Sequence, residues 1–191
     1  MASSEKNARR RKAWIFFQDE SGISQRPSIR RTWAPKGKTP ILIHAFNWKK
    51  LSICAAVGYR WDGHRSRLYF QTRAGSYNEE SLIGFLQDLK RHLGGHPAIL
   101  VWDGLPSHKS RAMNDYLLEQ HAWLRVERLP GYAPDLNPVE TLWGNVKGQE
   151  LANRCADNLA EAAKAVRRGM ARVRRSGTLP FSFLEHAGLS F

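Results

Sequence analysis

A short apolar run in the middle of the chain, Ala98–Trp102, constrains the fold more than any other segment. It contains no polar position, which is typical of a strand covered on both faces and not of a strand with one face in solvent. Such strands occur mainly where helices pack on both sides of a sheet. The run therefore predicts an α/β architecture, and the turn dipeptide Asp103-Gly104 marks the end of this central strand.

The segments around this run predict the other elements of the sheet and its helices. Further strands are expected over residues 14–17, 51–59, 67–73 and 123–129, the middle two forming a hairpin at Asp62-Gly63. Helices are expected behind the capping-box spacing of residues 76–79, over 107–121, from Pro138 and over 159–175. A hairpin followed by strand–helix–strand crossovers gives a mixed five-stranded sheet flanked by helices.

The charge of the chain favours a polyanionic partner. Thirty Lys and Arg against seventeen Asp and Glu give a net charge of +13. Each Lys or Arg placed near a phosphate releases counterions, which gives affinity without sequence specificity. Charge alone leaves DNA, RNA and an anionic membrane surface open. The basic residues lie at the N-terminus, in the segment 26–38 and in the last predicted helix.

Composition excludes several other classes of protein. A hydrophobic fraction of 42% can supply a core, so the chain as a whole is not disordered. Two cysteines cannot form a disulfide framework, which indicates a reducing compartment. No apolar run approaches the roughly 18 residues that a membrane helix needs. We therefore expect a cytoplasmic protein and no membrane partner.

Three acidic residues occupy unusual positions. Asp19 is expected to end the first strand, Asp103 ends the central strand, and Glu140 opens a helix after a Pro-rich turn. Each alone has an ordinary explanation: a salt bridge or turn cap for the aspartates, and a capping box with Asn137 for Glu140. Together, carboxylates from separate elements suit Mg²⁺, and two such ions could stabilise an in-line phosphoryl displacement.

Four segments of the chain carry a resemblance to a known family. They read Phe-Gln-Asp-Glu-Ser at 17–21, Thr-Trp-Ala-Pro-Lys-Gly at 32–37, Val-Trp-Asp-Gly at 101–104, and Tyr-Ala-Pro-Asp-Leu-Asn-Pro-Val-Glu at 132–140. The last is highly specific. Over roughly residues 13–150 the chain resembles the catalytic domain of IS630-type insertion-sequence transposases. These belong to the Tc1/mariner group of the DDE superfamily of RNase H-like enzymes. One departure is Gly104-Leu105, where the family more often has Asn-Ala.

This resemblance implies a fold, a site and a reaction. It implies an RNase H-like fold in which Asp19, Asp103 and Glu140 are the catalytic residues and the ligands of two Mg²⁺ or Mn²⁺ ions. The reaction would be cleavage of DNA at transposon ends and strand transfer into target DNA. The substrates would be terminal inverted repeats and a TA target. Further site residues are expected: His108 and Asn137 as accessories, and Arg30, Arg31, Lys36 and Lys38 on the DNA backbone.

The resemblance also bears on domains and partners. We expect a basic flexible N-terminus over 1–12, the catalytic domain over 13–153, and a C-terminal helical segment over 154–191 packed on that domain. Family members typically carry N-terminal helix-turn-helix modules, for which the residues before Asp19 are too few. We therefore expect the catalytic half alone, with a helix-turn-helix protein or domain from an upstream reading frame. A homodimer associated with the bacterial nucleoid is also expected.

Two other functions remain open at this point. An inactive, truncated transposase that only binds DNA would keep the charge and the fold. An RNase H-like nuclease acting on hybrid or junction DNA is a second alternative, which the segment 132–140 disfavours. A zinc site is disfavoured because Gly94-Gly95 separates His92 from His96 and the cysteines are not paired.

Overall fold

The computed structural model describes residues 2–43, 49–131 and 133–190. The helices are α1 Ala2–Arg11, α2 Glu79–His92, α3 Arg111–Glu119, α4 Pro138–Glu150, α5 Leu159–Arg175 and α6 Leu179–His186. The strands are β1 Trp14–Ser24, β2 Lys50–Tyr59, β3 Ser66–Ala74, β4 Ala98–Trp102 and β5 Leu124–Arg128. Short 3₁₀ turns cover Pro106–Lys109 and Pro134–Leu136. No helix of the described ranges is long and apolar enough to span a membrane.

The five strands form one mixed sheet in the order β3-β2-β1-β4-β5. The pairs β1–β2 and β2–β3 are antiparallel, whereas β1–β4 and β4–β5 are parallel. The predicted α/β architecture, a mixed five-stranded sheet flanked by helices, is therefore confirmed. The central strand β4 is buried along its whole length, as its apolar run predicts.

Helices cover both faces of the sheet, and each face has its own core. On one face, Ile15 and Phe17 of β1 and Val101 of β4 pack with residues of α4, α5 and α6. On the other face, Phe16 and Trp102 pack with α2 and α3. Because successive residues of a strand point to opposite faces, odd-numbered residues of β1 and β4 face α4 and even-numbered residues face α2. The C-terminal helices thus share a core with the sheet.

The N-terminal segment departs from the expected flexible tail. Residues 2–11 form α1, the side chain of Ala8 is fully buried, and the Ala13 N–H donates to the Ala8 carbonyl at 2.9 Å. The Arg11 guanidinium donates to the Ala122 carbonyl at 2.7 Å. These contacts tie the segment to the domain, and sequence missed them because the polar, basic composition of α1 shows no apolar stripe.

Three other boundaries differ from the sequence-based expectation. Strand β1 continues to Ser24, so Asp19 lies inside it, because β2 supplies an antiparallel partner for every polar residue from Gln18 onward. Helix α2 is capped by a reciprocal Asn78–Ser81 pair and not at residues 76–79. The expected helix over 107–121 is a 3₁₀ turn followed by α3, whose N-cap Ser110 accepts from the Met113 N–H. The C-terminal helical segment expected over 154–191 contains a second helix, α6, beyond the one expected over 159–175.

Candidate active site

The register of the two central strands brings Asp19 and Asp103 together. Strands β1 and β4 are paired in parallel from Trp14–Ala98 to Phe17–Val101. Two residues beyond Phe17 is Asp19, and two residues beyond Val101 is Asp103. Asp19 therefore lies on the sheet face that packs against α4, and Asp103 directly follows the last residue of β4, at the point where the β1–β4 ladder has ended. The side chain of Asp19 remains half-buried there, while β2 still pairs with its backbone.

Helix α4 brings Glu140 to the same place. Its N-cap is Asn137, whose side chain accepts from the Val139 N–H at 3.1 Å and donates to the Gln18 carbonyl at 3.3 Å. The Asn137 N–H donates to the Pro134 carbonyl at 2.8 Å, so the capping box expected for Glu140 is not formed. The accessory residue Asn137 thus anchors the helix start to β1, and Glu140 is exposed with its carboxylate free of the cap.

The three predicted carboxylates line one cavity of about 210 Å³. Its wall also contains Asn137, Gly104 and residues 129–131. A larger cavity of about 630 Å³ shares Pro134, Asn137 and Glu140 with it. Tyr132, the first residue of the specific segment 132–140, lies outside the described residues.

The surroundings of Asp19 disfavour the ionised form of its carboxyl group. Burial is the main reason that the pKa of Asp19 is raised to about 7. A hydrogen bond from the Trp143 indole N–H at 2.7 Å lowers this pKa, and the charges of Glu140 and Glu20 raise it again. An ionised Asp19 is therefore costly in this arrangement, and a cation in the cavity would relieve the repulsion.

His108 connects Asp103 to a second acid that sequence reasoning did not select, Glu20. The His108 ring is buried and stacks on Trp102 with centroids 4.1 Å apart. Its Nδ1 lies 2.8 Å from Asp103 Oδ1, and its Nε2 lies 3.5 Å from Glu20 Oε1, a distance that suits an ionic contact better than a hydrogen bond. Burial lowers the pKa of His108, but the two carboxylates outweigh it and the net pKa is raised.

Replacing His108 by Phe tests this bridge through stability. Phe keeps the stack on Trp102 but leaves Glu20 and Asp103 without their shared cation. Because the pKa of His108 is raised in the folded state, its stabilising contribution is complete below pH 6.5 and is lost as pH rises through the folded pKa. The loss of unfolding free energy in His108→Phe should therefore be larger at pH 6 than at pH 9 in urea titrations. An equal loss at both values would contradict the bridge.

Lys147 is a further residue that sequence reasoning missed. It lies two turns after Glu140 on α4, and its ammonium donates to the Ser21 hydroxyl at 2.6 Å. Burial lowers the pKa of Lys147, and the charges of Glu140 and Asp19 partly oppose that effect. The only signal in the sequence is the seven-residue spacing from Glu140, which places both side chains on one helical face.

The donor set of the cavity suits a hard divalent cation, since Asp19, Asp103 and Glu140 all offer carboxylate oxygens. Within the described ranges, however, no group of three or more His, Cys, Asp or Glu side chains already stands in a metal-binding arrangement. Trp143 holds Asp19, and His108 holds Asp103. The chemistry of the residues therefore fits such a cation, and their side chains would have to turn towards it.

The residues predicted to grip DNA lie apart from this cavity. Arg30, Arg31, Lys36 and Lys38 are all exposed in the long connection after β1, and none lines the cavity. Main-chain and side-chain hydrogen bonds between Arg30 and Asn153 fix the start of that connection against the segment after α4. The structure thus brings together the three carboxylates, His108 and Asn137, but not the four basic residues.

Comparison with solved structures agrees with this architecture. A Mos1 transposase paired-end complex with left transposon end aligns with a TM-score of 0.68 at 20% identity, over 97% of this chain and 56% of that one. A mariner Mos1 paired-end complex with Mg aligns at 0.64 and 21% identity, with the same coverage. At these identities the likeness establishes the fold, which is RNase H-like as expected.

Fold and cavity together define an RNase H-like domain that carries three carboxylates from separate elements in one cavity. The model of a family described as DDE superfamily endonuclease matches residues 14–162, well over half of the chain. The chain therefore belongs to the DDE superfamily of endonucleases. An insertion element IS630 uncharacterized 39 kDa protein from Shigella sonnei is 26% identical over 161 residues, 83% of this chain. The chain spans 45% of that relative's length. The resemblance to IS630-type and mariner transposases is thus confirmed.

Proposed function

We propose that this chain is the catalytic part of a transposase that cleaves DNA at transposon ends and joins them to target DNA. One observation carries the proposal: Asp19, Asp103 and Glu140, separated by up to 121 positions, line one cavity. In a chain of net charge +13, three converging carboxylates would repel a DNA phosphate unless cations accompany them. The family model and the transposase fold support the same reaction.

The three carboxylates would hold two Mg²⁺ or Mn²⁺ ions. Asp19 and Asp103 would share one ion, and Glu140 with one of the aspartates would hold the other. When bound, such ions stabilise the attacking and leaving oxygens of an in-line phosphodiester displacement. Two of the neighbouring solved structures are Mos1 paired-end complexes with Mn and with Mg.

The other residues of the site hold these ligands at the cavity, where the side chains of Asp19 and Asp103 would turn towards the ions. Trp143 orients Asp19 through its indole N–H, and Asn137 fixes the start of α4 to β1 so that Glu140 reaches the cavity. His108 orients Asp103 and neutralises part of the charge of Glu20. Lys147 contributes a positive charge beside the carboxylates.

Partners and substrates follow from the same proposal. The substrates would be terminal inverted repeats and a TA target, with Arg30, Arg31, Lys36 and Lys38 on the DNA backbone. A helix-turn-helix protein or domain would read the repeats, which accords with the longer IS630 relative. A homodimer would hold two ends together, and the site of action would be the bacterial nucleoid in the cytoplasm.

Replacing Asp103 by Asn tests the reaction. With Mn²⁺, the wild-type protein should nick DNA carrying the ends of its element. The variant should lose at least about 10³-fold of this activity, because it removes a ligand and transition-state charge stabilisation. Its DNA affinity should stay within about threefold. Cleavage is read on gels and affinity by fluorescence anisotropy.

Asp115→Asn is the matched control. Asp115 is an exposed aspartate of α3 that is paired loosely with Arg111 at 3.8 Å and lies outside the cavity. The Asp115→Asn variant should nick the DNA at the wild-type rate. Equal activity in Asp103→Asn and wild type would refute the role of the cavity. DNA binding without nicking in the wild-type protein would instead favour a protein that only binds DNA.

A further inference from the structure

A third cavity, of about 720 Å³, lies at the end of the sheet opposite the carboxylates. Its wall is formed by the start of β1, the β2–β3 hairpin and the segment that joins α5 to α6. Trp14 lies in this wall, and Asp19 is five residues further along β1. At about 3.3 Å per residue the two sites are roughly 17 Å apart. We call this site the distal basic cavity.

The wall of the distal basic cavity is strongly positive. Its uncompensated cations are Lys12, Arg65, Arg67, Arg174 and Arg175. A sixth, Arg60, is neutralised by Asp62 at 2.6 Å. No Asp or Glu is among the residues that line it, and in the described part of the chain none of the five forms an ion pair. Five like charges converging on one concavity are unfavourable unless an anion enters it.

Two of these arginines are held in place before any ligand binds. The Arg67 guanidinium lies 4.9 Å from the Trp14 ring centre and donates to the His92 carbonyl at 3.2 Å. The Arg174 guanidinium lies 5.1 Å from the Phe70 ring centre and donates to the Leu68 carbonyl at 3.1 Å. Each keeps several N–H groups for a ligand, and a guanidinium fixed in this way matches the geometry of a phosphate.

The chemistry of the wall favours a chain of phosphates over a single small anion. One or two arginines suffice for an isolated phosphate, whereas five cations from three separate elements suit charges that repeat along a backbone. We propose that the distal basic cavity binds the phosphate backbone of duplex DNA away from the point of cleavage. The choice of DNA rests on the proposed function, and the anion-binding character does not.

The test is neutralisation of two exposed arginines of the wall, Arg65 and Arg175. Arg65 and Arg175 are exposed, so the double variant Arg65→Ala/Arg175→Ala should fold normally. Its matched control is Arg125→Ala/Lys164→Ala, which removes the same charge from exposed positions outside the cavity. Affinity for a 30-bp duplex is measured by fluorescence anisotropy in EDTA over a range of salt concentrations.

The cavity variant should bind the duplex roughly 10- to 50-fold more weakly at 0.1 M salt. The slope of log binding constant against log salt concentration should be smaller in magnitude by about 2. The control should stay within about threefold of wild type. Equal losses in both variants, or no loss in either, would overturn the proposal. Loss of tripolyphosphate binding with unchanged duplex binding would also overturn it and indicate a small-anion site.

Because EDTA prevents cleavage, this result is independent of the nicking assay. A cavity variant that binds like wild type would leave the role of Asp103 untouched. Conversely, an inactive wild-type protein could still show the predicted loss of duplex affinity.

Discussion

Replacing Asp19 by Asn is expected to abolish cleavage and at the same time to stabilise the metal-free protein. The loss of activity should reach at least about 10³-fold, since a ligand carboxylate is removed. The Asn side-chain oxygen can still accept the Trp143 indole N–H, so the local packing is kept. What disappears is a buried negative charge beside Glu140 and Glu20.

The pH dependence of this stabilisation has a definite sign. The pKa of Asp19 is raised to about 7 in the folded protein, from an ordinary value of 3.8. Its contribution to stability is thus greatest below pH 3.8 and is lost as pH rises through about 7. Asp19→Asn should therefore raise Tm most at pH 8, by roughly 4–8 °C for about 2 kcal/mol, and hardly at pH 4.

Calorimetric scans with EDTA and with Mn²⁺ complete the measurement. Mn²⁺ should raise Tm of the wild-type protein at pH 8 and should raise that of Asp19→Asn much less. A lower Tm for the variant at pH 8 in EDTA would show that Asp19 stabilises the fold, which is the opposite of the expected result.

Replacing Gly58 by Ala is expected to destabilise the fold severely. Gly58 of β2 lies opposite Phe16 of β1. A Cβ atom there would lie 2.7 Å from Phe16 Cδ1, well inside van der Waals contact, and still closer to two other atoms of the ring. The Phe16 ring is fully buried and packs 6.1 Å from the Trp14 ring, so it has no free space to enter. We expect a loss of about 3 kcal/mol, which lowers Tm by roughly 6–12 °C.

Gly84→Ala provides the control for this prediction. Gly84 lies inside α2, and a Cβ atom there meets no other atom within 4 Å. The same substitution should therefore stabilise the protein by about 0.5–1 kcal/mol, since Gly disfavours a helix interior. Urea unfolding of both variants measures the difference. If both substitutions changed the free energy of unfolding in the same direction, the close approach of Gly58 to Phe16 would not explain the effect of Gly58→Ala.

Sequence reasoning predicted the parts of the fold whose signals are local. The apolar run Ala98–Trp102 is enough to indicate a doubly covered strand, and the apolar spacing of α2 and α5 is enough to indicate amphipathic helices. The N-cap Asn137 was also predicted, since Asn before Pro is a strong start signal. The predicted end of a strand was wrong where a partner strand supplies the hydrogen bonds, as β2 does for β1 beyond Phe17.

The candidate site was predicted only as a set of residues. The specific segment 132–140 pointed to Glu140 as a site residue. The positions of Asp19 and Asp103 near predicted strands pointed to these two carboxylates. Glu20, Trp143 and Lys147 could not be found in this way. Each acts through a partner more than 80 positions away: Glu20 through His108, Trp143 through Asp19, and Lys147 through Ser21. Such pairs follow from packing, which local sequence patterns do not encode.

The sequence by itself determined the element types, the basic character and the identity of the family, because periodicity, charge and motif spacing are properties of neighbouring residues. Only the tertiary structure decided that Asp19 and Asp103 line one cavity and that α4 brings Glu140 to them. It also decided that five basic residues converge at the opposite end of the sheet. The physical reason is that strand register and helix docking are set by long-range burial, which joins residues wherever their side chains fit together.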